Sequence, residues 1–61
     1  MKKKILIIED DPVTRSLLIA YFGKAGYHVF EAANGAEMWA IMEETKVDLV
    51  LLDINLPGED G

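Results

Sequence analysis

Two short apolar runs, each ending in acidic residues, constrain the fold of this 61-residue chain more than any other feature. Residues 4–9 are rich in Ile and Leu up to Glu9, and residues 47–53 form a β-rich run that ends at Asp53. Continuous apolar runs of this length are typical of parallel strands covered on both faces. We therefore expect two parallel strands whose carboxyl ends open onto the same edge of a sheet.

The segment after the first run carries the signals of a helix over residues 12–24. Asp11 is a good N-cap, and Pro12 suits the first helical position, where its missing N–H costs nothing. Gly26 is the expected C-terminal cap, because a new β-prone run follows it directly. An apolar stripe at i, i+4 spacing is expected to lie on the sheet; it comprises Val13, Leu17 and Tyr21, with Leu18 and Phe22 beside them.

The remaining segments predict one more strand, over residues 27–32, and one more helix, over residues 36–44. Helices between consecutive strands imply right-handed parallel crossovers, so the expected fold class is α/β with the order β-α-β-α-β. If the first strand lies between the second and the third, ligands are expected outside the carboxyl ends of strands one and three.

The chain stops at Gly61 in a loop, where a further helix is expected to return it to the sheet. Two helices leave parts of a three-stranded sheet uncovered, and chains of this length are marginal in stability. We therefore expect residues 1–61 to be the N-terminal half of a larger α/β domain, with no DNA-binding domain present. Uncovered faces and a bare apolar edge predict a homo-oligomer.

Composition disfavours several classes of partner. A net charge of -5 argues against direct nucleic acid contact by this segment, because phosphate backbones are bound by clustered Lys and Arg. The chain has no cysteine, which is consistent with a cytoplasmic location. No run approaches the roughly 20 apolar residues of a membrane span, so no membrane contact is expected.

The predicted sheet edge gathers the carboxylates of Glu9, Asp10 and Asp53. Two like charges about 4 Å apart repel by about 4 kcal/mol at an effective dielectric near 20, so the cluster needs a cation, for which Mg²⁺ is the expected choice. Asp53, ionised at the end of its strand, could attack phosphorus to give an aspartyl phosphate. The backbone carbonyl of Asn55 could complete the metal site. The alternative is that the acidic triplet at 9–11 only solvates a strand end and caps a helix.

Four motifs stand in register along the chain: Ile-Ile-Glu-Asp-Asp at 7–11, Gly26-Tyr27, Ala33-Asn34-Gly35, and Leu-Leu-Asp-Ile-Asn-Leu-Pro-Gly at 51–58. Together they resemble the receiver domain of two-component response regulators. Val13-Thr14-Arg15 and the segments 29–32, 34–38 and 53–58 are especially similar to the OmpR/PhoB group of that family. The resemblance implies a flavodoxin-like (CheY-like) doubly wound sheet of strand order 2-1-3, with Asp53 as the phosphoacceptor. It implies that Glu9 and Asp10 are the acidic Mg²⁺ pair and that Asn55 offers its main-chain oxygen.

The same resemblance implies a sensor histidine kinase or a phosphotransfer protein as the phosphoryl donor, and a DNA-binding transcriptional regulator as the parent. The chain is then a phosphoacceptor and not an enzyme. The hydroxyl residue, lysine and switch aromatic of the family would all lie beyond Gly61. An assembly module that dimerises through exposed sheet faces or edge is the alternative. A Mg²⁺-dependent phosphohydrolase is disfavoured, because such enzymes carry an acid where this chain has Asn55.

Overall fold

The computed structural model describes residues 2–52, which form a three-stranded parallel sheet and two helices. The elements are β1 (Lys4–Ile8), α1 (Pro12–Lys24), β2 (His28–Ala32), α2 (Gly35–Glu44) and β3 (Leu49–Leu52). The strand order is β2-β1-β3, and both neighbours of β1 run parallel to it. The predicted α/β class and the strand order 2-1-3 are therefore confirmed. Within residues 2–52, no helix is both long and apolar enough to cross a membrane.

β3 begins two residues later than the sequence pattern indicates. The Asp48 carboxylate accepts a hydrogen bond from the Lys4 backbone N–H at 2.7 Å, and the Asp48 N–H donates to the Lys4 carbonyl at 2.8 Å. This reciprocal pair joins the start of β1 to the turn before β3. It replaces the first bonds of a longer strand ladder and so sets the register, in which Ile8 pairs with Leu52.

β1 supplies most of the buried core of the described residues. All of its residues from Ile5 to Ile8 are buried, and Leu6 and Ile7 are fully so. Because side chains alternate along a strand, Leu6 and Ile8 share one face while Ile5 and Ile7 share the other. Against Leu6, Ile8 and Ala32 pack four partly buried side chains, namely Phe30, Met38, Ile41 and Val47.

The two helices cover β1 and β2 but not β3. Each helix contacts both β1 and β2, whereas within residues 2–52 neither helix contacts β3. The side chains of Leu49, Val50 and Leu52 are correspondingly 44%, 46% and 55% exposed. Within the described residues, β3 is therefore the least covered strand of the sheet.

The predicted orientation of α1 is wrong in part: Leu18 and Phe22 lie on the partly buried face as expected, but the rest of the predicted stripe does not. Val13, Leu17 and Tyr21 are 68%, 67% and 67% exposed and do not lie on the sheet. The partly buried face of the helix is instead formed by Thr14, Arg15, Leu18, Ile19 and Phe22. On this face the Arg15 guanidinium reaches hydrogen-bond acceptors on β2 and just after β1, which offsets the cost of placing a charge there.

α1 ends in a Schellman motif centred on Gly26. The Gly26 N–H donates to the Gly23 carbonyl and the Tyr27 N–H to the Phe22 carbonyl, both at 3.1 Å. Gly26 has a φ of 100°, in the left-handed region. The rings of Phe22 and Tyr27 meet edge to face at 5.6 Å, which supplies the apolar contact that accompanies this motif.

We predict that Gly26→Ala lowers the free energy of unfolding by about 1–2 kcal/mol, because an L-residue in the left-handed region brings its Cβ against the backbone. A Cβ at Gly26 meets no atom within 4 Å, so the cost is conformational and not steric crowding by other residues.

Gly23→Ala is the matched control for this measurement by urea denaturation and circular dichroism. Gly23 lies inside α1 with equally open surroundings, so alanine there should raise the stability by up to about 0.8 kcal/mol. Equal effects at the two glycines would contradict the role assigned to Gly26.

Candidate functional site at the carboxyl edge of the sheet

Glu9 follows β1 directly and is held in place by hydrogen bonds. It is only 2% exposed. Its N–H donates to the Ala32 carbonyl at 3.1 Å, and its Oε2 accepts from the Asp11 N–H at 2.9 Å. A buried carboxylate is costly without such partners, so this geometry is what allows an acid at the end of a core strand.

Asp10, the second predicted ligand, is exposed at the same edge. Within residues 2–52 its carboxylate accepts no hydrogen bond from the protein. The two adjacent acids therefore differ: Glu9 is buried and fixed, whereas Asp10 is open to solvent. The structure places both where the sequence pattern put them, at the carboxyl end of the central strand.

Asp11 caps α1, as predicted. Its Oδ2 accepts a hydrogen bond from the Thr14 backbone N–H at 2.8 Å. That hydrogen bond first, then one from the Thr14 hydroxyl and the positive charge of Arg15, hold the pKa of Asp11 below its ordinary value of 3.8, against a small opposing effect of desolvation. The third acid of the triplet is thus engaged with the helix.

Arg15 is the functional candidate that the sequence reasoning missed. Its Nη1 donates to the Glu9 main-chain carbonyl at 2.9 Å, and its Nε donates to Glu31 Oε1 at 3.0 Å. The arginine side chain is 21% exposed and that of Glu31 is 55% exposed. The only signal in the sequence is a charged residue within the first turns of a largely apolar helix, and its partners lie on two other segments.

The predicted phosphoacceptor Asp53 and the predicted carbonyl ligand Asn55 lie outside the described residues. The acids within residues 2–52 alone form no group of three that could hold a metal ion. The donor chemistry of Glu9 and Asp10 nevertheless fits Mg²⁺, which takes oxygen ligands and commonly uses one or two carboxylates together with waters.

Comparison with known proteins identifies the class to which this fold and edge belong. Residues 5–61 match the family model described as "Response regulator receiver domain". The chain belongs to that family. No solved structure gave a significant match.

Curated relatives agree with this assignment. The chain is 54% identical over 57 residues to the aerobic respiration control protein ArcA of Escherichia coli K12, an alignment that covers 93% of this chain and 24% of ArcA. It is 51% identical over 61 residues to the TorCAD operon transcriptional regulatory protein TorR of the same strain, covering 100% of this chain and 26% of TorR. It is 48% identical over 61 residues to sporulation initiation phosphotransferase F of Bacillus subtilis strain 168, covering 100% of this chain and 49% of that protein.

The chain thus spans about a quarter of the length of ArcA and TorR, and about half that of the phosphotransferase. Similarity to proteins named as transcriptional regulators supports the predicted class of two-component response regulators.

We predict that the stabilising effect of the Asp11 cap is lost in acid. Because the folded-state pKa of Asp11 is lowered, its contribution is fully present above the unfolded-state pKa, near 3.9. It disappears as pH falls through the still lower folded-state pKa.

An NMR titration of the Asp11 carboxyl carbon should give a midpoint below 3.8. Asp11→Asn is the matched control, since asparagine also caps helices but does not titrate. In this variant the acid-dependent loss of α1 helicity should be smaller. A midpoint at or above the ordinary value would refute the assigned hydrogen bond.

Proposed function

We propose that this chain is the phosphoacceptor segment of a response regulator receiver domain, with Asp53 receiving the phosphoryl group in the presence of Mg²⁺. One observation carries the proposal. Ile8 pairs with Leu52 in a parallel register, and the residues that follow them in the sequence are Glu9-Asp10 and Asp53. Strands so paired leave the sheet at a common edge, which is where doubly wound folds bind their ligands.

In the proposed reaction, a carboxylate oxygen of Asp53 attacks the phosphorus of a phosphohistidine, the P–N bond breaks, and its electron pair returns to the imidazole. Phosphoryl transfer asks the protein chiefly for position and charge neutralisation. Bound Mg²⁺ would neutralise the phosphoryl oxygens. Glu9 and Asp10 would hold the ion from the β1 side, with the main-chain oxygen of Asn55 as a further ligand.

The biological setting follows from the same family membership. The donor would be a sensor histidine kinase or a phosphotransfer protein, and the parent a cytoplasmic, DNA-binding transcriptional regulator. Within it, residues 1–61 would be the N-terminal half of the receiver domain. Similarity to ArcA and TorR supports this parent, because both are named as regulatory proteins.

We predict that incubation with Mg²⁺ and acetyl phosphate adds one phosphoryl group to the protein, detected by intact mass. The Asp53→Asn variant should abolish the addition, because the amide is not a nucleophile. Asp10→Asn should strongly reduce it, because a metal-binding carboxylate is lost.

Asp48→Asn is the matched control, since Asp48 lies at the opposite edge of the sheet and its amide oxygen can still accept from the Lys4 N–H. Its phosphorylation should equal that of the wild type. The full-length parent should be assayed beside the 61-residue chain. Phosphorylation of Asp53→Asn in either protein would refute the proposed acceptor.

We further propose that the 61-residue chain self-associates, since apolar side chains are exposed both on β3 and along α1. Sedimentation velocity at micromolar concentration should show a dimer or a larger species. Leu17→Glu should weaken association through the α1 stripe, whereas Ser16→Glu places the same charge on the neighbouring exposed position and should not. A monomer that folds cooperatively across the concentration range would contradict the proposal.

A further inference from the structure

We infer that Arg15 is a positioning residue for the acidic pair: its guanidinium fixes the peptide plane between Glu9 and Asp10 and thereby sets the direction of the Asp10 carboxylate. The inference rests on the proposed function, because it assigns Arg15 a role toward the same metal site. It starts from two hydrogen bonds, Nη1 to the Glu9 carbonyl at 2.9 Å and Nε to Glu31 Oε1 at 3.0 Å.

The contact with the Glu9 carbonyl matters because a peptide unit is rigid. The six atoms from the Cα of Glu9 to the Cα of Asp10 lie close to one plane, so holding the carbonyl oxygen also holds the Asp10 Cα. Glu9 is restrained on its other side as well, since its N–H donates to the Ala32 carbonyl and its Oε2 accepts from the Asp11 N–H. The Asp11 N–H belongs to the peptide plane that follows the Asp10 Cα, and the Glu9 carbonyl to the plane that precedes it, so Arg15 supplies the restraint on the amino side of Asp10.

The exposed Asp10 has greater need of this restraint than the buried Glu9. Packing already limits the Glu9 side chain, whereas no hydrogen bond from residues 2–52 holds that of Asp10. A metal ligand must be held close to the position from which it binds the ion. Groups that do not touch the ion themselves provide this restraint by hydrogen bonding to the ligand or to its main chain. The direction in which Asp10 leaves the main chain is therefore the quantity that Arg15 controls.

Only an arginine suits this position. Its planar fork presents Nη1 and Nε to two acceptors at once, on the end of β1 and on β2, whereas a lysine ammonium is a single point charge on a flexible stem. Charge alone would work in the opposite direction, because a fixed cation near the site repels a metal ion. The five lysines of residues 2–52 lie toward the amino edge of the sheet: three precede or begin β1, one ends α1 and one precedes β3. Within residues 2–52, Arg15 is therefore the one Lys or Arg residue beside the acids.

Positioning by hydrogen bonds and repulsion by the positive charge predict different Mg²⁺ affinities for two variants of Arg15. A positioning role predicts that Arg15→Lys and Arg15→Met both weaken Mg²⁺ binding by about 10-fold or more, the loss typical when an outer partner of a metal ligand is removed. A role of charge alone predicts unchanged binding for Arg15→Lys and tighter binding for Arg15→Met. Calorimetric titration with MgCl₂ distinguishes the two cases. Unchanged binding by Arg15→Lys, or tighter binding by Arg15→Met, would overturn the inference.

Hydrogen exchange without metal separates this inference from the proposed function. In both variants the Asp11 N–H, which donates to Glu9 Oε2, should exchange several-fold faster, while the His28 N–H, bonded to the Lys3 carbonyl at the other edge, should be unchanged. If the wild type binds no Mg²⁺ but the Asp11 N–H responds in this way, the positioning role stands and the proposed function fails. If the wild type binds Mg²⁺ and neither affinity nor exchange changes in the variants, the positioning role fails and the proposed function stands.

Discussion

The parallel hydrogen bonding of β1 to strands on both of its sides is the interaction on which the rest of the structure depends. It buries a strand of four consecutive aliphatic residues, and at the end of that strand it places an acid, Glu9, that is nearly as inaccessible as they are. The main chain of Glu9 continues the bonding to β2 through Ala32, and its carboxylate accepts a hydrogen bond from the Asp11 N–H, which offsets the cost of burying the acid. The site is therefore an extension of the core and not an addition to a loop.

Sequence reasoning succeeded where one segment carries its own signals. The apolar run of β1, the cap at Asp11 and the stop at Gly26 each act within a few residues, so their structural outcomes could be read locally. The parallel direction of the strands followed from the helices between them, whereas their order was implied by the resemblance to receiver domains. The location of Glu9 and Asp10 at the carboxyl edge followed from the same two arguments.

The same reasoning failed on the orientation of α1, and the reason is physical. Apolar residues occupy so much of this helix that two different faces satisfy the i, i+4 pattern, one through Leu17 and one through Leu18. The structure buries the second face, and it is the one that contains Arg15. On that face the Arg15 side chain bonds two acceptors outside the helix, the Glu9 carbonyl after β1 and the Glu31 carboxylate on β2. Periodicity within one helix holds no information about them.

The wrong prediction for the helix face and the omission of Arg15 from the site are related, because Arg15 lies on the face that the structure partly buries. A charged side chain on a buried face normally counts against that face, since an unpaired charge is costly there. Here the guanidinium is bonded to a carbonyl and paired with the Glu31 carboxylate, so the cost of placing the charge on this face is offset. Rotating α1 to bury Val13, Leu17 and Tyr21 would remove both contacts and leave the main chain between Glu9 and Asp10 without its third restraint. The packing of the helix and the geometry of the acidic pair are therefore linked through the side chain of Arg15.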